Sequence, residues 1–188
     1  MKLIPAFDAK KAPREVELFL SVTGREHWEK LIQKTDTSNG LYKEHFLLKR
    51  NPLLSPLKRY IQLSREGKSL WQHRTEELDF FIGTVSMINR ILKGVNERGQ
   101  NRIKGRLRSD DIRPLLHEID LTSHFFRNGF DVNFVEYERK DDGQRTYDFL
   151  VTKGSVQAEI ECKWKSIDLG EISNMIISAC FVTKYSTK

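Results

Sequence analysis

Two short alternating segments on either side of a glycine-serine pair constrain this chain most. Residues 146 to 166 read TYDFLVTKGSVQAEIECKWKS. Alternation of apolar and polar residues at period two marks half-buried strands. Gly154-Ser155 fits the two-residue loop of a hairpin, where glycine supplies the positive φ. That turn sets the register. Lys153 then pairs with Val156, and counting outward puts Leu150 opposite Glu159 and Asp148 opposite Glu161. Lys163, two residues beyond Glu161, shares their face. The other face carries Tyr147, Phe149, Val151, Val156, Ala158, Ile160, Cys162 and Trp164, and reads as core.

Carboxylates at facing positions repel and destabilise a sheet. Two readings of Asp148, Glu161 and Lys163 follow. They are the solvated face of an amphipathic hairpin, or they surround a divalent cation that reverses the repulsion. Mg²⁺ takes oxygen ligands and is commonly held by one or two carboxylates together with waters and phosphate oxygens. A lysine beside such a pair offsets the acids and can contact a phosphate or an attacking water. A set of this kind suits phosphodiester hydrolysis.

The segment SDDIRPLLHEIDLTSHFFRNGF, before the hairpin, predicts a helix. Ser109 or Asp110 can cap it, Pro114 is tolerated in its first turn, and Gly129 suits the left-handed position past its end. Glu118 shares a stripe with Leu115, Thr122 and Phe125, whereas Arg113, His117, Asp120, His124 and Arg127 form the polar face. An acid on the inward stripe is costly unless it is paired with a Lys or Arg or bound to a metal. A strand candidate, DVNFVEYE, and a turn, RKDDGQR, lead into the hairpin, and IDLGEISNMIISAC after it reads as a further helix.

The first hundred residues read as helical. PREVELFLSVTGREHWEKLIQK is interrupted at Gly24, TDTSNG reads as a loop, and LSPLKRYIQLSREGK is a short helix. The longest helix lies within residues 69–95, where Leu78, Phe81, Ile82, Val85, Ile88, Ile91 and Leu92 recur at three- and four-residue steps. NERGQNRIKGRLRSDD then has two glycines and almost no apolar residues. It predicts a basic linker over 98–108 between a helical domain, 1–97, and a second domain, 109–188. Arg98, Arg102, Lys104, Arg106, Arg108 and Arg113 lie in or beside it, either as phosphate contacts or as a solvated loop.

Charge follows the same division. The 188 residues carry a net +6, split into +9 over residues 1–115 and −3 over 116–188. A basic front half suits a polyanion and an acidic back half suits a cation, though ordinary solvation gives the same numbers. No apolar run approaches the roughly 20 residues of a membrane span, and the N-terminus lacks the apolar core of a secretory signal. Cys162 and Cys180 form no metal-binding pattern. The expectation is a cytoplasmic protein without a membrane partner.

A helical Glu, a glycine at the helix end, a strand, an Asp and then Glu-x-Lys resemble the PD-(D/E)XK nuclease superfamily, the restriction-endonuclease-like fold. Here the pattern is Glu118, Gly129, Tyr147-Asp148 and Glu161-Cys162-Lys163, within about residues 109–180. Tyr147 stands where that motif has proline. The resemblance implies an α/β core of order αβββα, in which Asp148, Glu161 and Glu118 bind Mg²⁺ or Mn²⁺ and Lys163 orients or activates the attacking water. It implies a metal-dependent nuclease acting on DNA rather than RNA. With 25 residues after Lys163, the chain is expected to stop before the fourth strand of that core. The competing expectation is a protein of the same fold that binds nucleic acid or protein without cutting, or an inactive remnant.

Overall fold

The computed structural model describes residues 10–37, 41–135 and 148–162. Tyr147, Lys163, the RKDDGQR turn and the helix expected after the hairpin lie outside them. Seven helices precede a small antiparallel sheet among the described residues. Its α+β character agrees with the expectation from sequence.

Helix α1 (Ala12–Thr23) buries Val16, Phe19 and Leu20, and ends where Gly24 takes φ 100°. The break turns the chain into α2 (Arg25–Thr37), so that Trp28 packs on Phe19 with ring centroids 5.2 Å apart. Helices α3 (Leu41–Arg50) and α4 (Leu54–Arg65) follow. Helix α5 (Glu76–Gly94) buries all seven apolar residues expected of it. Thr75 caps it by accepting a 3.2 Å hydrogen bond from the N–H of Leu78, and Glu76, Glu77 and Asp79 complement the positive end of the helix.

The stretch expected to be a linker is instead helix α6 (Glu97–Leu107). Asn96 caps it, accepting from the N–H of Gly99 at 2.9 Å. Gly99, Ile103 and Leu107, at four-residue steps, form its buried stripe. Two apolar side chains and a glycine suffice because α6 packs against α5, a context that composition does not reveal.

Helix α7 (Arg113–Arg127) has Pro114 in its first turn. Neither Ser109 nor Asp110 caps it. Ser109 bonds the carbonyls of Arg106 and Asp111, and Asp111 accepts from the N–H of Arg113 at 3.1 Å. Gly129, at φ 77°, ends the helix as expected. Strand β1 (Asp131–Asn133) is shorter than the segment expected, with Phe134 and Val135 buried just beyond it.

Strands β2 (Phe149–Lys153) and β3 (Val156–Ile160) form the hairpin, and the sheet order is β1-β2-β3. Lys153 pairs with Val156, Leu150 with Glu159 and Phe149 with Ile160, the register expected from the turn. Gly154 has φ 59°. Phe149, Val151, Ala158 and Ile160 are buried, but Val156 is 51% exposed. It follows the turn directly and faces exposed Lys153, so the hairpin tip projects past the core.

Phe125 on α7 meets Phe149 on β2 edge to face, with centroids 6.1 Å apart. Phe134 sits 6.1 Å from Phe149 on a second side. These rings seat α7 on the sheet. One hydrophobic cluster runs from Ala12 to Ile160 through α5 and α7, so the helical region and the sheet share a core.

Candidate functional site

Four elements bring charged groups together at one end of the hairpin. Glu118 arrives on the buried stripe of α7, with Leu115 and Thr122 beside it in sequence spacing. Its side chain is 9% exposed and its partner is Arg106, from α6. Arg106 Nη1 donates to Glu118 Oε2 at 2.5 Å and Nη2 donates to Oε1 at 2.6 Å. Both carboxylate oxygens are thus engaged by one planar fork. The inward acid has taken the ion-pair alternative.

Asp148 stands at the entry to β2. The hairpin register, extended one step, would leave it facing Glu161. Its N–H donates instead to the carbonyl of Ile160, at 2.9 Å. This one-residue offset is the kind of departure a β-bulge makes, re-aiming a side chain at a strand end. The Asp148 carboxylate accepts from the backbone N–H of Cys162 through Oδ2. It therefore turns toward Cys162, while Glu161, one residue earlier, is exposed.

The same groups act on the Cys162 thiol. Burial pushes its pKa up most, the negative charges of Asp148 and Glu118 and a hydrogen bond to Asp148 push it further, and Arg106 opposes them. Arg106, Glu118, Asp148 and Cys162 thus form one electrostatic cluster. Cys162 packs against the hydrophobic core, so the cluster sits on the inner side of the hairpin end. Its thiol stays protonated near neutral pH, which leaves oxygen as the donor chemistry of the site.

Of the acids expected to act together, Glu118 and Asp148 converge and Glu161 lies at the rim. Lys163 lies outside the described residues. Among the described residues no group of three or more His, Cys, Asp or Glu is placed to hold a metal. The roles of Arg106 and Cys162 are the part that sequence reading misses. Arg106 is found only once residues 97–107 are taken as a helix, since it then precedes the buried Leu107 and faces α7.

The basic residues divide by their work. Arg108 donates twice to the carbonyl of Thr23, at 3.2 and 2.9 Å. Arg113 is held by Asp111, with Nη2 to Oδ2 at 2.5 Å, and with burial opposing it this bonding keeps the Asp111 carboxyl below the usual range. These two arginines, expected to contact phosphate, are engaged within the fold. Arg98 and Arg102 line an open depression with Glu97 and Asn101, and Lys104 is half-buried on the same helix.

No protein-family model, no curated protein and no solved structure matches this chain. Among the described residues no helix is long and apolar enough to cross a membrane.

Proposed function

We propose that the unit formed by α7 and the three strands is a metal-dependent nuclease centre acting on DNA, with Asp148 and Glu161 as the carboxylates that hold Mg²⁺ or Mn²⁺. The observation that supports this reading is the meeting of Asp148, turned onto the Cys162 N–H, and the buried helical acid Glu118 at the open end of the hairpin, with Glu161 next to Cys162 in sequence. The order of helix, antiparallel strands, Asp and Glu-x-Lys agrees with the restriction-endonuclease-like pattern.

In donor chemistry Asp148 and Glu161 suit a hard cation, though Asp148 must first give up the Cys162 N–H. The donors are oxygens, no thiolate competes, and Mg²⁺ typically keeps several waters. Glu118 fits such a site only when Arg106 no longer occupies its oxygens. A bound divalent ion would polarise the scissile phosphate and lower the pKa of a bound water. Asp148 and Glu161 would hold the ion, Lys163 would position the attacking water or a phosphate oxygen, and the α6 arginines would hold the nucleic-acid backbone.

The Arg106–Glu118 pair favours a second reading, a non-catalytic nucleic-acid- or protein-binding module on the same fold. An acid already neutralised by an arginine needs no metal.

Cleavage of a plasmid and of a labelled oligonucleotide, with Mg²⁺ or Mn²⁺ and with EDTA controls, decides between them. The nuclease reading expects cutting that EDTA stops. Asp148→Ala, Glu161→Ala and Lys163→Ala each lower it by roughly a hundredfold or more while DNA binding persists. Undiminished cutting by Asp148→Ala overturns the assignment. An inactive wild type that still binds DNA supports the second reading.

A further inference from the structure

Helix α6 carries Arg98, Arg102 and Arg106 at four-residue steps. Side chains four apart are neighbours on a helix, and each step advances about 6 Å along the axis. The three guanidinium groups therefore form a ladder. At one end Arg98 and Arg102 line the open depression. At the other end Arg106 grips Glu118. The ladder joins a solvent-facing basic surface to the acidic cluster.

Arg106 stands between two environments. Its side chain is 31% exposed, while that of Glu118 is 9% exposed. Arg106 is the more exposed partner of the pair, so a phosphate arriving from solvent meets the pair on the arginine's side. The arginine fork matches phosphate as well as carboxylate, so the exchange keeps its bidentate geometry.

We infer that Arg106 is an exchange residue. It holds Glu118 while no nucleic acid is bound, and turns to a backbone phosphate aligned by Arg98 and Arg102 when nucleic acid binds. Glu118 is released into the cluster only with substrate in place. The free protein keeps its buried acid neutralised, as burial requires. This inference rests on the proposal that the chain binds nucleic acid.

Salt dependence of binding tests it, using the full chain, a labelled duplex DNA and EDTA throughout. The key variant is Arg106→Gln with Glu118→Gln, which replaces the ion pair by a neutral pair of similar shape. Each phosphate contact contributes about 0.9 to the slope of log affinity against log salt. Exchange predicts that the double variant loses about 0.9 of slope, so that the weakening between roughly 50 and 200 mM salt shrinks about threefold. Glu118→Gln alone keeps the wild-type slope and binds more tightly, because Arg106 no longer leaves a charged partner. That single variant also serves if the double one melts early. An unchanged slope in the double variant, or no tightening in Glu118→Gln, overturns exchange while a steep wild-type slope leaves DNA binding standing. A wild type without salt-dependent binding overturns both.

Discussion

Arg108 closes on the carbonyl of Thr23, 85 residues earlier in the chain, and in doing so braces the break between α1 and α2. Thr23 is the centre of that junction. Its hydroxyl donates to the carbonyl of Phe19 at 2.6 Å and accepts from Trp28 Nε1 at 2.8 Å. Both Thr23 and Trp28 are fully buried. Thr23→Val keeps the shape and removes the acceptor, leaving the indole N–H unpaired in the core. The expected loss is about 1–3 kcal/mol. Gly24→Ala is unfavourable for two further reasons: φ is 100°, and the new Cβ would meet Arg108 Nη2 at 3.0 Å. Denaturant melts of both variants check this: a wild-type midpoint for Thr23→Val would mean that the Trp28 bond contributes nothing, and one for Gly24→Ala that the junction is not tightly held.

The Arg106–Glu118 pair also makes a stability prediction that needs no ligand. Arg106→Ala strands a buried carboxylate. The expected loss is roughly 2–3 kcal/mol, below the roughly 3–5 kcal/mol of a fully buried pair because the Arg106 side chain is 31% exposed. Replacing both partners, as Arg106→Met with Glu118→Leu, should cost less than Arg106→Ala alone, since no charge is then left unpaired. A thermodynamic cycle over the single and double variants measures it. Additive losses would mean that the two side chains do not depend on each other.

How much of this was legible in the sequence differs from element to element. The α5 stripe and the hairpin register are, because seven apolar residues at helical spacing and one glycine turn leave few alternatives. The inward orientation of Glu118 is legible for the same reason. Helix α6 is not: its buried stripe is only Ile103, Leu107 and a glycine, and it is held by packing against α5, which its own composition does not reveal. Missing α6 hides Arg106, and with it the partner of Glu118. The turn of Asp148 toward Cys162 is also hidden, because a period-two pattern says which face a residue takes only while the ladder stays in register.

Cys162 supplies a pH-dependent test of the cluster, made with EDTA present so that divalent ions play no part. Burial first, then Asp148 and Glu118, raise its thiol pKa above the ordinary value of 9.0. The sign follows from linkage. The folded state favours the protonated thiol, so its contribution to stability is fully present below about pH 9 and is lost as pH rises above that value. Wild type should therefore lose more stability than Cys162→Ala between neutral pH and about pH 10. The same shift should slow alkylation of Cys162 relative to a free cysteine peptide at about pH 8.5, where a free thiol is substantially ionised. Peptide-level mass spectrometry separates Cys162 from Cys180. Asp148→Asn retains an oxygen to accept the Cys162 N–H but removes the charge, so alkylation should accelerate. Equal rates in wild type and Asp148→Asn would show that the carboxylate charge does not act on the thiol, and Asp148 and Cys162 would then be tied only by the Cys162 N–H bond.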